Sequence, residues 1–259
     1  MAQDDSQDFY HGAKDFLGWA LKSGWKPAIL PVGVVYTFQS TVARSISEDT
    51  SRFVENADLT VSNGRTYMTS DSGAPVLIAC LNPGAAAMAT QLDHLRFLSG
   101  TDSLSAAIVG TAGAIAGSHA IGDTVIVNSA LATDGVSRAY MPGADVVTAD
   151  PVLSERLRAA LLDPPIVRSW TVSVPYRSTR GDLEAARSAG AEVVEMEIAA
   201  LFAAGHALDV ACAAAVVVSD VSKVDEPTTV DWSDTLAPTL RALDAAIAAI
   251  RADSEQSHE

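Results

Sequence analysis

Two glutamates flank a single methionine where an apolar, strand-like run meets an alanine-rich, helix-like run, in AEVVEMEIAALFAAGHA at residues 191–207. A carboxylate at Glu197 can accept two hydrogen bonds, and the neighbouring hydroxyls of a ribose offer two donors at a matching separation. Met196 would supply a soft apolar surface for one face of the sugar. A structural interpretation stays open, in which Glu197 only complements the helix dipole and Glu195 is solvated.

A second acid, Asp220, ends ACAAAVVVSD, the most apolar strand-like run of the chain. A carboxyl group that leaves such surroundings is expected to have a raised pKa and to hold a proton near neutral pH. That property suits general-acid catalysis, which is typically worth about 10²–10⁴-fold in rate. The alternative is that Asp220 only caps the next turn.

A third segment, VGTAG at residues 109–113, is rich in glycine. Gly110 would let a ligand approach the backbone, and Thr111 offers a hydroxyl donor, although a glycine-rich turn alone is weak evidence. The five histidines are scattered without metal-ligand spacing, and neither a GxSxG elbow nor a GxxxxGK loop is present. We therefore expect no metal and no cofactor.

Short apolar runs alternate with amphipathic ones along the chain. The predicted strands are PAILPVGVV, PVLIACL, SAAIVGTAG, TVIVNSA, AEVVEM and ACAAAVVVSD. The predicted helices are AAAMATQLDHLRFL, DPVLSERLRAALL, GDLEAARSAG and DTLAPTLRALDAAIAAIRA. Because the strands are continuously apolar, both faces of the sheet should be covered, which predicts an α/β sandwich with a mostly parallel or mixed sheet. Polar residues just past strand ends are where ligands meet such sheets, and all three segments fit.

Composition limits the remaining possibilities. A formal net charge of −15 over 259 residues argues against nucleic acid or an anionic membrane as a partner. We expect no transmembrane segment and no secretory signal. Cys80 and Cys212 lie in apolar runs as free thiols, which favours a cytoplasmic protein. We expect one domain over residues 1–259, with flexible tails at 1–8 and 252–259.

The three segments, in this order, resemble nucleoside phosphorylase family I, which includes purine nucleoside phosphorylases, uridine phosphorylases and several nucleosidases. VVEMEIAALF is similar to the family's VEMEAAAL signature, AAIVGTAGAI to its RVGTCGA turn, and VVVSDV to its ISD segment. The resemblance runs from about residue 28 to 250 and is strongest to the uridine-phosphorylase-like branch. It implies a three-layer α/β/α sandwich with a central mixed sheet, cleavage of an N-glycosidic bond, and a homodimer or a homohexamer built as a trimer of dimers.

The resemblance also implies roles for individual residues. Glu197 matches the glutamate that binds the ribose hydroxyls, Met196 the methionine under the sugar, and Glu195 the other glutamate of the motif. Thr111 matches the hydroxyl residue of the anion pocket. Asp220 matches the aspartate that protonates the leaving base in purine-acting members. Since uridine phosphorylases lack that acid, the pair Ser219–Asp220 favours a purine nucleoside.

The anion pocket departs from the family pattern. The family's phosphorylases carry GDP followed by an arginine after the first strand, whereas this chain has LPVGVVYTFQS. A second arginine is replaced by Ile108, and a third, from a neighbouring subunit, would fall near Ser62, with Arg65 close by. Phosphate needs cationic or dense N–H coordination to leave water. We therefore expect water, not phosphate, to be the nucleophile.

Three functions remain open. A nucleosidase would use Gln39 to orient water, where related nucleosidases have a glutamate. A phosphorylase would rebuild its anion pocket from Arg65, Thr111 and backbone amides. A binding protein without turnover would keep only the sugar site. Trp170 and Tyr176 lie in the region that contacts the base in relatives, and they equally suit core positions.

Overall fold

The computed structural model describes residues 12–60, 64–100, 103–117, 119–222, 229–230 and 234–256. The strands are β1 (Gly33–Thr37), β2 (Phe53–Glu55), β3 (Gly64–Thr69), β4 (Val76–Leu81), β5 (Ser105–Ala114), β6 (Thr124–Ala132), β7 (Val146–Thr148), β8 (Ile166–Thr171), β9 (Val193–Glu195), β10 (Ala211–Val221) and β11 (Thr229–Val230). The helices are α1 (Ala13–Lys22), α2 (Ser40–Glu48), α3 (Ala85–Ser99), α4 (Gly135–Tyr140), α5 (Pro151–Ala160), α6 (Arg180–Ser188), α7 (Ile198–Leu208) and α8 (Leu236–Gln256), with a short 3-10 helix at Pro175–Arg177.

The strands form one mixed sheet in the order β11-β10-β6-β8-β9-β5-β1-β4-β3-β2, and β7 adds to β6. Strand β5 runs parallel to β1 and β10 but antiparallel to β9. Strand β10 pairs with both β6 and β5, so β10, β6, β8, β9 and β5 close into a ring. The predicted central mixed sheet is confirmed.

Helices cover both faces of this sheet. Along β1, Val34 and Tyr36 belong to one buried cluster, which includes residues of α3 and α7. Val35 belongs to a second cluster, with residues of α2, α5 and α8. Successive side chains of a strand point to opposite faces, so an entirely apolar strand needs a helical layer on each side. The three-layer α/β/α arrangement follows.

All six predicted strands and all four predicted helices are present, together with α7 after the glutamate pair. The prediction missed β3 and β8, whose sequences GRTYMT and IVRSWT are interrupted by polar residues. It also missed α2, where only Val42 and Ile46 are buried. Short polar elements such as these carry too few apolar positions to show a period.

The carboxyl-terminal helix extends further than expected. Residues 252–256 belong to α8, so the flexible tail predicted from residue 252 was wrong over these positions. Ser105 Oγ donates to Asp253 Oδ2 at 2.6 Å, and Arg156 donates to the other oxygen of Asp253. These bonds hold the end of α8 against β5 and α5. The amino-terminal tail, 1–8, lies outside the described residues, and none of the helices that are described has the length and apolar character to cross a membrane.

Candidate active site

The carboxylate of Glu195 is held entirely by the protein. It accepts hydrogen bonds from the backbone N–H groups of Glu197 and Ile198, both at 2.6 Å, from Ser169 Oγ at 3.1 Å, and from Thr171 Oγ1. Burial raises its pKa, and these donors act in the opposite direction. The structural alternative in which Glu195 is solvated is therefore wrong, and its four donors suit a role in positioning the start of α7 better than a direct substrate contact.

Glu197 is the residue that precedes α7, and its side chain does not cap that helix. Its Oε1 accepts a hydrogen bond from the backbone N–H of Gly84 at 2.6 Å, and only 7% of the residue is exposed. Burial, and next the charge of Glu195, raise its pKa from 4.5 to about 8, while the Gly84 N–H lowers it. A desolvated acid was expected at Asp220, but Asp220 is only half-buried. The acid that the structure buries is Glu197.

A cavity of about 360 Å³ opens beside this glutamate pair, which is the size of a small-molecule site. Its wall is formed by Asn82, Pro83, Gly84, Ala85, Ala86, Ala87, Asp134, Val136, Ser173 and Met196. Gly84 has a φ of +135°, a conformation that glycine adopts readily and other residues rarely do. That backbone turns the Gly84 N–H toward Glu197 at the start of α3. Met196 is the sequence-predicted residue that lines this cavity directly.

Sequence reasoning missed the two loops that complete the wall. Asn82–Gly84 follow the buried strand β4, and Asp134 follows β6. Both have the signature that selected the other three segments, which is a polar turn directly after an apolar strand. Applied to every strand, that criterion would have included NPG at 82–84 and TDG at 133–135.

The Gly-rich segment and Asp220 lie on adjacent strands. Gly113 of β5 pairs with Asp220 of β10 on one side and with Val194 of β9 on the other. A Cβ built on Gly113 would lie 2.6 Å from Asp220 Oδ2, so a larger residue there would displace the Asp220 carboxylate. Asp220 and Val194 are therefore two strand spacings apart, which is about 10 Å. The predicted convergence of three segments is therefore found at the level of the backbone.

The side chains of this second group do not line the cavity. Ser219 Oγ lies 2.8 Å from Asp220 Oδ1 and 3.3 Å from the carbonyl oxygen of Ala112. Thr111 is half-buried, and a Cβ built on Gly110 would meet no atom within 4 Å, so space is open at that position. Asp220 and Glu197 thus stand on either side of the end of β5.

The two aromatic candidates have different surroundings. Trp170 is buried in a cluster with Leu131, against which Met196 packs, and its Nε1 donates to Thr133 Oγ1 at 3.0 Å. Tyr176 is 95% exposed in the short 3-10 helix. Neither residue forms part of the cavity wall.

The nucleophile-pocket candidates are spread over β1, α2 and β3. Gln39 precedes α2, and its Oε1 is buried without a hydrogen-bond partner among the described residues, as is Oγ1 of Thr37. Ile108 is buried in the core. Arg65 is exposed on β3, and Ser62 lies outside the described residues. Within the described ranges, no three histidine, cysteine, aspartate or glutamate side chains are grouped to hold a metal ion.

We expect Glu197 to make the stability of the protein depend on pH. Its pKa is higher in the folded chain, so the folded state binds the proton more tightly, and the stabilisation is lost as the pH rises from 4.5 through about 8. The free energy of unfolding should fall by about 4 kcal/mol from this group alone. Denaturant unfolding of the wild type and of Glu197→Gln across this range measures the difference. Equal pH slopes in the two proteins would contradict the expectation.

Comparison with known proteins gives one family and several similar folds. The family model of the phosphorylase superfamily matches residues 32–252. Uridine phosphorylase from Vibrio fischeri ES114 is similar in structure, with a TM-score of 0.67, 19% identity, and coverage of 86% of this chain and 91% of that one. Purine nucleoside phosphorylase from Toxoplasma gondii in complex with immucillin-H has a TM-score of 0.71, 16% identity, and coverage of 88% and 93%.

A search of curated proteins found no match. The structural likenesses, below 20% identity, establish the shared fold. The family match covers most of the chain, including β9, α7 and β10, which carries Asp220. The resemblance to this family is confirmed, and the chain belongs to the phosphorylase superfamily.

Proposed function

We propose that the protein is an enzyme that cleaves the N-glycosidic bond of a purine nucleoside, with water as the nucleophile. The observation that carries the proposal is the buried carboxyl group of Glu197 beside the wall of a nucleoside-sized cavity, with Met196 in that wall. Two vicinal hydroxyls would donate to its ionised form, and Met196 would contact the sugar face.

In the proposed reaction the bond between C1′ and the base breaks as the sugar becomes oxocarbenium-like. Asp220 gives its proton to the departing base, and water adds to C1′ and releases a proton to solvent. Glu195 holds the backbone N–H groups of Glu197 and Ile198 and so positions Glu197. Ser219 shares a hydrogen bond with Asp220 and would orient it.

Water is favoured because cationic side chains are absent from the cavity wall and from the family's arginine positions among the described residues. Ile108, at one such position, is buried in the core. Moving phosphate from water into a site without cations is costly. Gln39, with its unpartnered Oε1, would accept a hydrogen bond from the attacking water.

Phosphorolysis is the second candidate, and the exposure of Arg65 on β3 favours it. An exposed guanidinium remains available to a neighbouring subunit, where it could join Thr111 and the open backbone at Gly110 to bind phosphate.

We further propose that the chain forms a homodimer or homohexamer and works in the cytoplasm, where Cys80 and Cys212 would stay reduced.

One assay separates these functions. The protein is incubated with inosine or adenosine, with and without phosphate, and the free base is measured. Release without phosphate supports hydrolysis, and release that requires phosphate supports phosphorolysis. Tight binding without release would overturn both and leave a nucleoside-binding protein.

A further inference from the structure

Asp134 is a buried acid with only half of its carboxylate satisfied. It lies between β6 and α4 and is 2% exposed. Its Oδ1 caps α4 by accepting hydrogen bonds from the N–H groups of Val136 at 2.8 Å and Ser137 at 2.9 Å. Its Oδ2 is buried and has no hydrogen-bond partner among the described residues. A buried polar atom without a partner is costly, which makes a purely structural role for that oxygen poor in energy.

This acid belongs to the same cavity as Glu197. Asp134 forms part of the cavity wall with Gly84 and Met196, and Gly84 donates to Glu197. The charge of Asp134 also contributes to the raised pKa of Glu197, after burial and Glu195. The ten residues of the wall include no lysine, arginine or histidine. Two acids on different elements, Asp134 and Glu197, therefore border the cavity without a cation in the wall.

An aspartate can cap a helix without being buried beside the cavity, as a second cap in the same chain illustrates. Asp150 caps α5 with one oxygen, which accepts from Val152 N at 2.9 Å and Leu153 N at 2.8 Å. The geometry matches that of Asp134, but Asp150 is only half-buried and is not part of the cavity wall. Burial beside the cavity is thus the feature that distinguishes Asp134.

We propose that Asp134 is a further functional residue of this cavity, whose negative charge favours ligands with a full or developing positive charge on the sugar ring. The inference rests on the proposed glycosidic cleavage, whose transition state carries such a charge. A fixed charge in a desolvated wall acts strongly on a nearby opposite charge and costs no reorganisation during the reaction.

The test compares Asp134→Asn with Asp150→Asn. Asparagine caps helices about as well as aspartate, so each variant keeps its cap and loses only the charge. The probes are a protonated pyrrolidine analogue of ribose and its uncharged ether analogue, and calorimetry measures their binding to the full chain at one pH. We expect the wild type and Asp150→Asn to prefer the cation, and Asp134→Asn to lose that preference by about tenfold or more.

Other outcomes overturn the inference. If Asp134→Asn keeps the wild-type ratio of the two affinities, or if the wild type shows no preference, Asp134 has no such role. Asp134→Ser, which is also a neutral cap, replaces the asparagine variant if that one does not fold. Because the readout is binding, a wild type that prefers the cation but releases no base would refute the proposed function and leave the role of Asp134 standing.

Discussion

Asp220→Asn is expected to slow release of a purine base by about 10²–10⁴-fold while changing nucleoside affinity far less. The amide keeps the size of the side chain and can still bond Ser219, which lies 2.8 Å from Asp220 Oδ1. It cannot give a proton to the departing base. The loss should therefore fall on the rate of bond cleavage, measured in single-turnover experiments, and not on binding.

A matched control and a second substrate make this prediction specific. Asp123→Asn makes the same change next to β10 and should leave the rate unchanged. Among the described residues, the side chain of Asp123 accepts from Ala120 N in a turn. A riboside with a leaving group that departs without protonation, such as p-nitrophenolate, should be cleaved by Asp220→Asn at close to the wild-type rate. If the purine rate stays within a few-fold of wild type, Asp220 is not the general acid.

The sequence was most informative where burial and chemistry coincide along the chain. Runs such as PVLIACL and ACAAAVVVSD are apolar because helices cover both faces of their strands, so they could be recognised locally. Strand β8 was not recognisable in the same way, since Ser169 and Thr171 interrupt its apolar pattern. These hydroxyls are tolerated in the core because both donate to Glu195. Their hydrogen-bond partner, Glu195, is 24 to 26 residues away in sequence, so a local pattern could not reveal it.

In the candidate site, too, some features could be recognised from the local sequence and others depend on distant contacts. The EME motif could be located from the change of period between strand and helix, but the different roles of its two glutamates could not. Glu195 is satisfied by four donors, whereas Glu197 is bonded by Gly84, 113 residues distant in sequence. Which carboxyl group is more desolvated depends on such distant contacts, which local sequence does not show.

Glu197→Gln is expected to lower kcat/KM by about 10³-fold, with losses in both binding and rate. An amide offers one acceptor oxygen and no charge, so the ribose hydroxyls lose charge-assisted hydrogen bonds, each worth about 1.5–3 kcal/mol. The variant also loses the negative charge that would stabilise the oxocarbenium-like transition state. Its effect on KM distinguishes it from Asp220→Asn, in which the loss is confined to the rate.

The pH dependence supplies a second readout of the same variant. With the pKa of Glu197 at about 8, the wild-type kcat/KM should rise as the pH increases toward that value, because only the ionised carboxyl group accepts from both hydroxyls. Glu197→Gln should lack this rise. Glu192→Gln is the matched control, since Glu192 directly precedes β9 but pairs with His119 at 3.0 Å instead of lining the cavity. A glutamine variant at 197 with wild-type kcat/KM and an unchanged pH profile would exclude Glu197 from the ribose site.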